Sequence, residues 1–207
     1  MKEYSVGMAL FDLIPVILFA IASVKLWRDL YFKMNKGVFA LFAAGTTNIV
    51  VAGALKALYK LLYAAGICDF QKLNDMFLPT QSIGFILAGL AIIAVFLQKK
   101  STKTTALAVG APVVYTGTGI FIIMMVLGLT CIDAALCIFS VKLRKKWLIA
   151  VFVLSYICLL AMGRLASMDF DKAIYNWIAE GTNTLGQGLL LFGVSVLHKN
   201  GLEKVEL

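Results

Sequence analysis

Thr80-Gln81-Ser82-Ile83-Gly84 opens one long apolar run, and Thr182-Asn183-Thr184-Leu185-Gly186 opens another. Asp69-Phe70 and Lys72 precede the first copy; Asp169-Phe170 and Lys172 precede the second. Order and chemistry agree between the two, with a two-residue slip between the Asp-Phe pair and the threonine. An echo leads each copy: Ser23-Val24-Lys25-Leu26 and Ser140-Val141-Lys142-Leu143. The chain reads as a duplicated unit, and the apolar runs that carry it are long enough for a membrane.

Hydrophobic residues make up 61% of the 207 and the mean hydropathy is +0.93, whereas soluble domains are only about half apolar. Several runs reach the ~20 residues that cross ~30 Å of hydrocarbon as a helix. The ~10-residue alternating segments of a β-barrel are absent. The expected fold is therefore all-α and polytopic, with segments near 8–27, 38–58, 80–97, 104–120, 122–143, 147–165 and 182–197. The roughly 40 residues from Thr104 to Leu143 would form a helix ~60 Å long, twice the membrane core. They are divided at Thr116-Gly117-Thr118-Gly119, the strongest breaker cluster in that stretch.

The spacing of apolar residues predicts a short interfacial helix over 70–78, ended by Pro79, and a second over 171–179. The first run has Lys2 followed at once by Glu3 and contains Asp12. It is read as a retained helix rather than a cleaved signal.

Charge gives the orientation. The net charge is +8, and the lysines and arginines cluster at the ends of apolar runs, a topology signal rather than a nucleic-acid footprint. The loops carrying Lys33 and Lys36, Lys99, Lys100 and Lys103, and Arg144, Lys145 and Lys146 are basic; those with Asp69, Asp75, Asp169 and Asp171 are acidic or mixed. Placing every basic loop in the cytoplasm requires seven crossings, with the amino terminus outside and the carboxyl terminus inside. Two parallel three-helix units must be joined by an odd number of crossings. This predicts a 3+1+3 layout: 1–98 as the first repeat, 99–121 as a linker helix, and 122–207 as the second repeat.

In helix count and repeat pattern this layout resembles the SWEET sugar transporters and their PQ-loop relatives. The family's Pro-Gln dipeptide is absent, since Leu78-Pro79-Thr80-Gln81 stands instead, and the interfacial helix is not part of its pattern. The resemblance implies a solute site built from amides at matching places in the third and seventh segments, which here are Gln81 and Asn183.

Charged groups at membrane depth cost a few kcal/mol unless paired or hydrated, which makes each a functional candidate. Asp12, Asp133 and Lys56 are expected to couple transport or bind an ion. Lys60 and Arg164 are read either as members of structural ion pairs or as snorkelling to the headgroups. Gln81, Asn183, Gln187 and Asn48, with Thr80, Thr182 and Glu180, are the expected substrate-binding groups. Amides supply both donors and acceptors, and Glu180, Asn183 and Gln187 share one helical face. The threonines have a second reading as helix caps after Pro79 and Gly181.

Gly84, Gly89, Gly186, Gly188 and Gly193 are read as packing residues. Cys68, Cys131, Cys137 and Cys158 are read as small hydrophobes. With a single histidine, His198, and no Cys-x-x-Cys, no metal set can be assembled. No hydrolase, phosphate-loop or zinc-protease motif occurs, so no catalytic residue and no cofactor is assigned.

The function expected is a small transporter or permease for a small polar solute held between the two bundles. A seven-helix receptor or partner subunit is the second reading, and a membrane-embedded lipid-modifying enzyme the third. The expected partners are the lipid bilayer and the solute, with a second copy or a partner protein admitted and nucleic acid excluded.

Overall fold

The computed structural model describes residues 5–97, 118–165 and 173–205, and every regular element among them is helical. α1 (Val6–Phe11) runs almost directly into α2 (Leu13–Leu30). Ser5 caps the start, accepting the Met8 amide at 3.2 Å. Pro15 offers no N–H to the Phe11 carbonyl, and the helix steps at Asp12. α3 (Lys36–Ala64) is capped by Asn35, whose side chain accepts the Val38 amide at 2.8 Å. It closes at Gly66, where a φ of 67° lets Ile67 donate back to the Leu62 carbonyl. Then come α4 (Gln71–Asp75), α5 (Phe77–Leu97), α6 (Thr118–Lys142), α7 (Trp147–Leu165), α8 (Ala173–Lys199) and a 3-10 turn at Leu202–Lys204.

Among the described residues, four stretches are long and apolar enough to cross a membrane: Val6–Leu30, Lys36–Ala64, Gln71–Leu97 and Gly119–Lys142. A shorter apolar helical stretch covers Trp147–Met162. This is the architecture of an α-helical membrane protein.

Three boundaries differ from the sequence expectation. Pro79 does not end a helix; it sits in the first turn of α5, where a missing N–H removes no helical bond. The piece expected over 171–179 is continuous with the next segment from Ala173 onward, and α8 passes through Gly181 unbroken. One helical glycine costs only about 1 kcal/mol. The linker helix over 99–121 falls largely on residues 98–117, outside the described residues, and Thr118 to Phe121 belong to α6.

Among the described residues, the six long helices form a closed ring in the order α2, α3, α5, α6, α7, α8, with α8 returning to α2. Pairings give their directions. Gly45 meets Ala88 and Lys56 meets Phe77, so α3 and α5 are antiparallel. Phe85 meets Gly128 and Phe96 meets Phe139, so α5 and α6 are parallel. Gly186 meets Cys158 and Gly193 meets Phe152, so α7 and α8 are antiparallel. Asp12 lies near Glu180 and Asp29 near His198, so α2 and α8 are parallel.

Glycines set the closest approaches. A Cβ on Gly128 would collide with the Phe85 carbonyl, and one on Gly89 would stand 2.7 Å from the Gly128 oxygen. The packing reading therefore holds for Gly84, Gly89, Gly186 and Gly193, while Gly188 has nothing within 4 Å of its would-be Cβ.

The ring is filled unevenly. At the end where α2 finishes, Leu26, Leu30, Phe42, Ile92, Leu136, Phe139, Leu148, Phe152, Val194 and Leu197 make a continuous core. Trp27 donates to Thr46 at 2.8 Å, and Asp29, with its side chain fully buried, meets His198 Nδ1 at 2.7 Å. Lys33 donates to the Val205 carbonyl and ties down the chain after α8. Burial pulls the Lys33 ammonium below its ordinary pKa, against the opposing pull of Asp29.

Candidate functional site

At the other end the ring is hollow. A cavity of about 630 Å³ lies among α2, α3, α5, α6, α7 and α8, within the ~300–1,000 Å³ usual for small-molecule sites. Most of its wall is apolar, with Val16, Phe19, Ile49, Met125, Val126, Leu129 and Leu160 contributing. Six polar side chains interrupt it: Asp12, Lys56, Gln81, Glu180, Asn183 and Gln187. All six stand among the residues expected from sequence to bind solute or couple its movement.

Each polar group reaches the wall for a local reason. The step between α1 and α2 presents Asp12 at the head of α2. Lys56 and Lys60 are four apart on α3 and share a face. Glu180, Asn183 and Gln187 follow one face of α8 at helical spacing. Gln81 lies one turn inside α5, directed by the same turn that carries Pro79.

The charges at the mouth are joined. Lys60 Nζ lies 2.5 Å from Asp12 Oδ2 and 2.9 Å from Glu180 Oε1, with all three side chains about 5% exposed. Lys56 lies 4.0 Å from Glu180 and sits over the Phe77 ring at 4.6 Å. Of the two structural readings of Lys60, the ion pair is the one found. The lysine is 4% exposed and bridges two carboxylates brought to it from other parts of the chain. Tyr59, beside it, reaches Gln71 at 2.9 Å and Asp69 at 3.3 Å, and so ties α3 to the connection that leads into α4.

Asp133 lies deeper. It lines a small second chamber of about 10 Å³ with Ser155, Tyr156 and Gln187, at the lower limit for one water. Among the described residues, the group in hydrogen-bonding reach of its carboxylate is the Cys137 thiol at 3.9 Å. Phe19, Phe85, Leu129 and Leu159 belong to both chambers and form the partition between them. The Phe19 and Phe85 rings stand 6.4 Å apart, centroid to centroid.

Asn48, Thr80 and Thr182 stand outside the cavity wall. Asn48 is half-buried in α3. The Thr182 hydroxyl donates to the Ile178 carbonyl at 2.8 Å in mid-helix, and the Thr80 amide bonds to the Met76 carbonyl within α5's first turn. Neither threonine caps a helix. Sequence reasoning left the partners of Lys60 unnamed and missed the roles of Tyr59 and Phe77. The only local signal was the shared face of Lys56 and Lys60, since the partners of Lys60 are far away in the chain.

Comparison with protein-family models, with curated proteins and with solved structures finds no match to this chain.

Proposed function

We propose that this protein is a small membrane carrier that binds its solute in the cavity between two pseudo-symmetric helix bundles and releases it by alternating access. The observation that carries the reading is the one-sided hollow. Polar groups line one half of a closed helix ring, while the other half is packed solid. That is the form of a carrier caught open to one side.

Helix directions support the 3+1+3 layout. α2, α3 and α5 run down, up and down, and α6, α7 and α8 repeat that order. Leu97 and Thr118 stand at opposite ends of the ring, because α5 and α6 are parallel. The expected single crossing between them has the right sense. Lys33, Lys36, Lys142, Arg144, Lys145, Lys146, Lys199 and Lys204 gather at the packed end, which we assign to the cytoplasm. Gln81, Asn183 and Gln187 bind the solute. Asp12 and Lys56 hold the charged mouth, and Asp133, beyond the phenylalanine partition, is the coupling group, its chamber too small for more than a proton or a single water.

Access distinguishes a carrier from a receptor. A cysteine placed at Val126, in a background with all four native cysteines replaced by serine or alanine, is exposed to a membrane-impermeant thiol reagent in right-side-out and in inverted vesicles. Labelling from both faces is expected. Labelling from one face alone would refute the carrier and leave the receptor reading.

A further inference from the structure

We infer that the cavity takes a neutral, largely apolar molecule bearing a hydroxyl or N–H donor, and that this donor seats on Gln187 Oε1. The inference rests on the carrier reading's assignment of the cavity as the solute site.

Three observations converge on it. The first is composition. The wall is mainly hydrocarbon and aromatic, and a fully hydrated, many-hydroxyl solute would leave most of its polar groups unpaired there.

The second is charge. Asp12 and Glu180 are answered by Lys56 and Lys60 within the mouth itself. The site therefore holds no surplus charge for an ionic solute, and an unpaired ion in such a place is strongly disfavoured. Asp133 does not alter this, because its chamber, about 10 Å³, lies behind the Phe19 and Phe85 partition and cannot admit a solute's ionic group.

The third is an orphan. Gln187 is only 7% exposed and lines both chambers, yet its Oε1 has no hydrogen-bond partner among the described residues. Buried amide oxygens are nearly always paired. Thr184 Oγ1, one turn earlier on α8, is likewise buried without a partner among them. A donor arriving with the solute completes the Gln187 oxygen, and the hydrocarbon wall takes up the rest of the molecule.

The test uses four naphthalenes of one shape: 1-naphthol, 1-methoxynaphthalene, 1-naphthoate and 1-naphthylmethylammonium. Thermal unfolding of the full chain in lipid nanodiscs is followed with each. For the wild type, saturating 1-naphthol is expected to raise the midpoint by ~5 °C. The methyl ether should bind about tenfold more weakly, and the two ions should give no shift. In Gln187→Leu the naphthol and its ether should bind alike, and without ligand the variant should unfold no lower than wild type, because it loses an unpaired acceptor rather than a bond. Val126→Trp, which fills the cavity, should abolish binding of all four.

Strongest stabilisation by either ion overturns the inference. Equal binding of naphthol and ether to the wild type also overturns it, as does no shift with any probe. The ether comparison is made on wild-type protein, so poor folding of a variant leaves it decisive. Binding is read independently of the two-sided labelling. Naphthol binding with labelling from one face would sink the carrier and keep the ligand class, and the converse pair would do the reverse.

Discussion

Replacing Lys60 by methionine removes an ammonium held between two carboxylates while nearly preserving volume, so what is lost is charge rather than packing. The ammonium stands 2.5 Å from Asp12 and 2.9 Å from Glu180, and all three side chains are about 5% exposed. Water therefore cannot take its place, and removing one partner of such a buried pair costs ~3–5 kcal/mol. A ceiling follows from simple chemistry. One orphaned carboxylate can instead take a proton from solvent, which for an ordinary carboxylate at pH 7 costs about 4 kcal/mol. Lys56, 4.0 Å from Glu180, recovers part of the loss.

The expected loss is therefore ~3–4 kcal/mol at pH 7. Reversible unfolding in mixed detergent micelles at pH 7, driven by sodium dodecyl sulfate and followed by tryptophan fluorescence, reads the loss. Lys60→Met combined with Glu180→Gln removes one charge of each sign and should regain at least half of the loss. A single-variant loss below about 1 kcal/mol, or a double variant no more stable than the single, would refute the reasoning.

Two further outcomes are expected. Gly128→Ala drives a methyl into the Phe85 carbonyl, against which the wild-type glycine packs directly. α5 and α6 must then separate, for a loss of ~1–3 kcal/mol or more in the same unfolding assay, and wild-type stability would show that the helices are not in contact there. His198→Ala leaves the fully buried Asp29 side chain without its 2.7 Å partner. A loss of ~1–3 kcal/mol is expected, with Asp29→Asn in the same background recovering part of it because the buried charge is gone.

Much of the site is legible in the amino-acid sequence. Asp12, Lys56, Gln81, Glu180, Asn183 and Gln187, all on the cavity wall, stand out because a polar residue inside an apolar run is costly, which makes each a candidate whatever the tertiary arrangement. Helix positions follow from run length, and the packing role of most glycines from their place in those runs. The expectations that fail share one cause, which is that a local rule has more than one outcome. Pro79 can terminate a helix or begin one, and its place in the first turn of α5 is the tolerated one. Gly181 can break a helix, yet one as long as α8 absorbs it. For Lys60 the sequence left an ion pair and the headgroups both open, and the pair is formed, with carboxylates far away in the chain.

By itself the chain's amino-acid order determined that this is a helical membrane protein, which residues are too polar for lipid, and the order of basic and acidic ends. Those properties are local: hydrogen bonding within a helix, transfer of each side chain, and charge beside each run are settled within a few turns. Only the tertiary structure decided that six helices close into a ring, that Lys60 bridges Asp12 and Glu180, and that one half of the ring is hollow while the other is filled. Those depend on which faces meet. A contact between positions 60 and 180 is set by the summed fit of every helix between them, and no short window of the chain contains it.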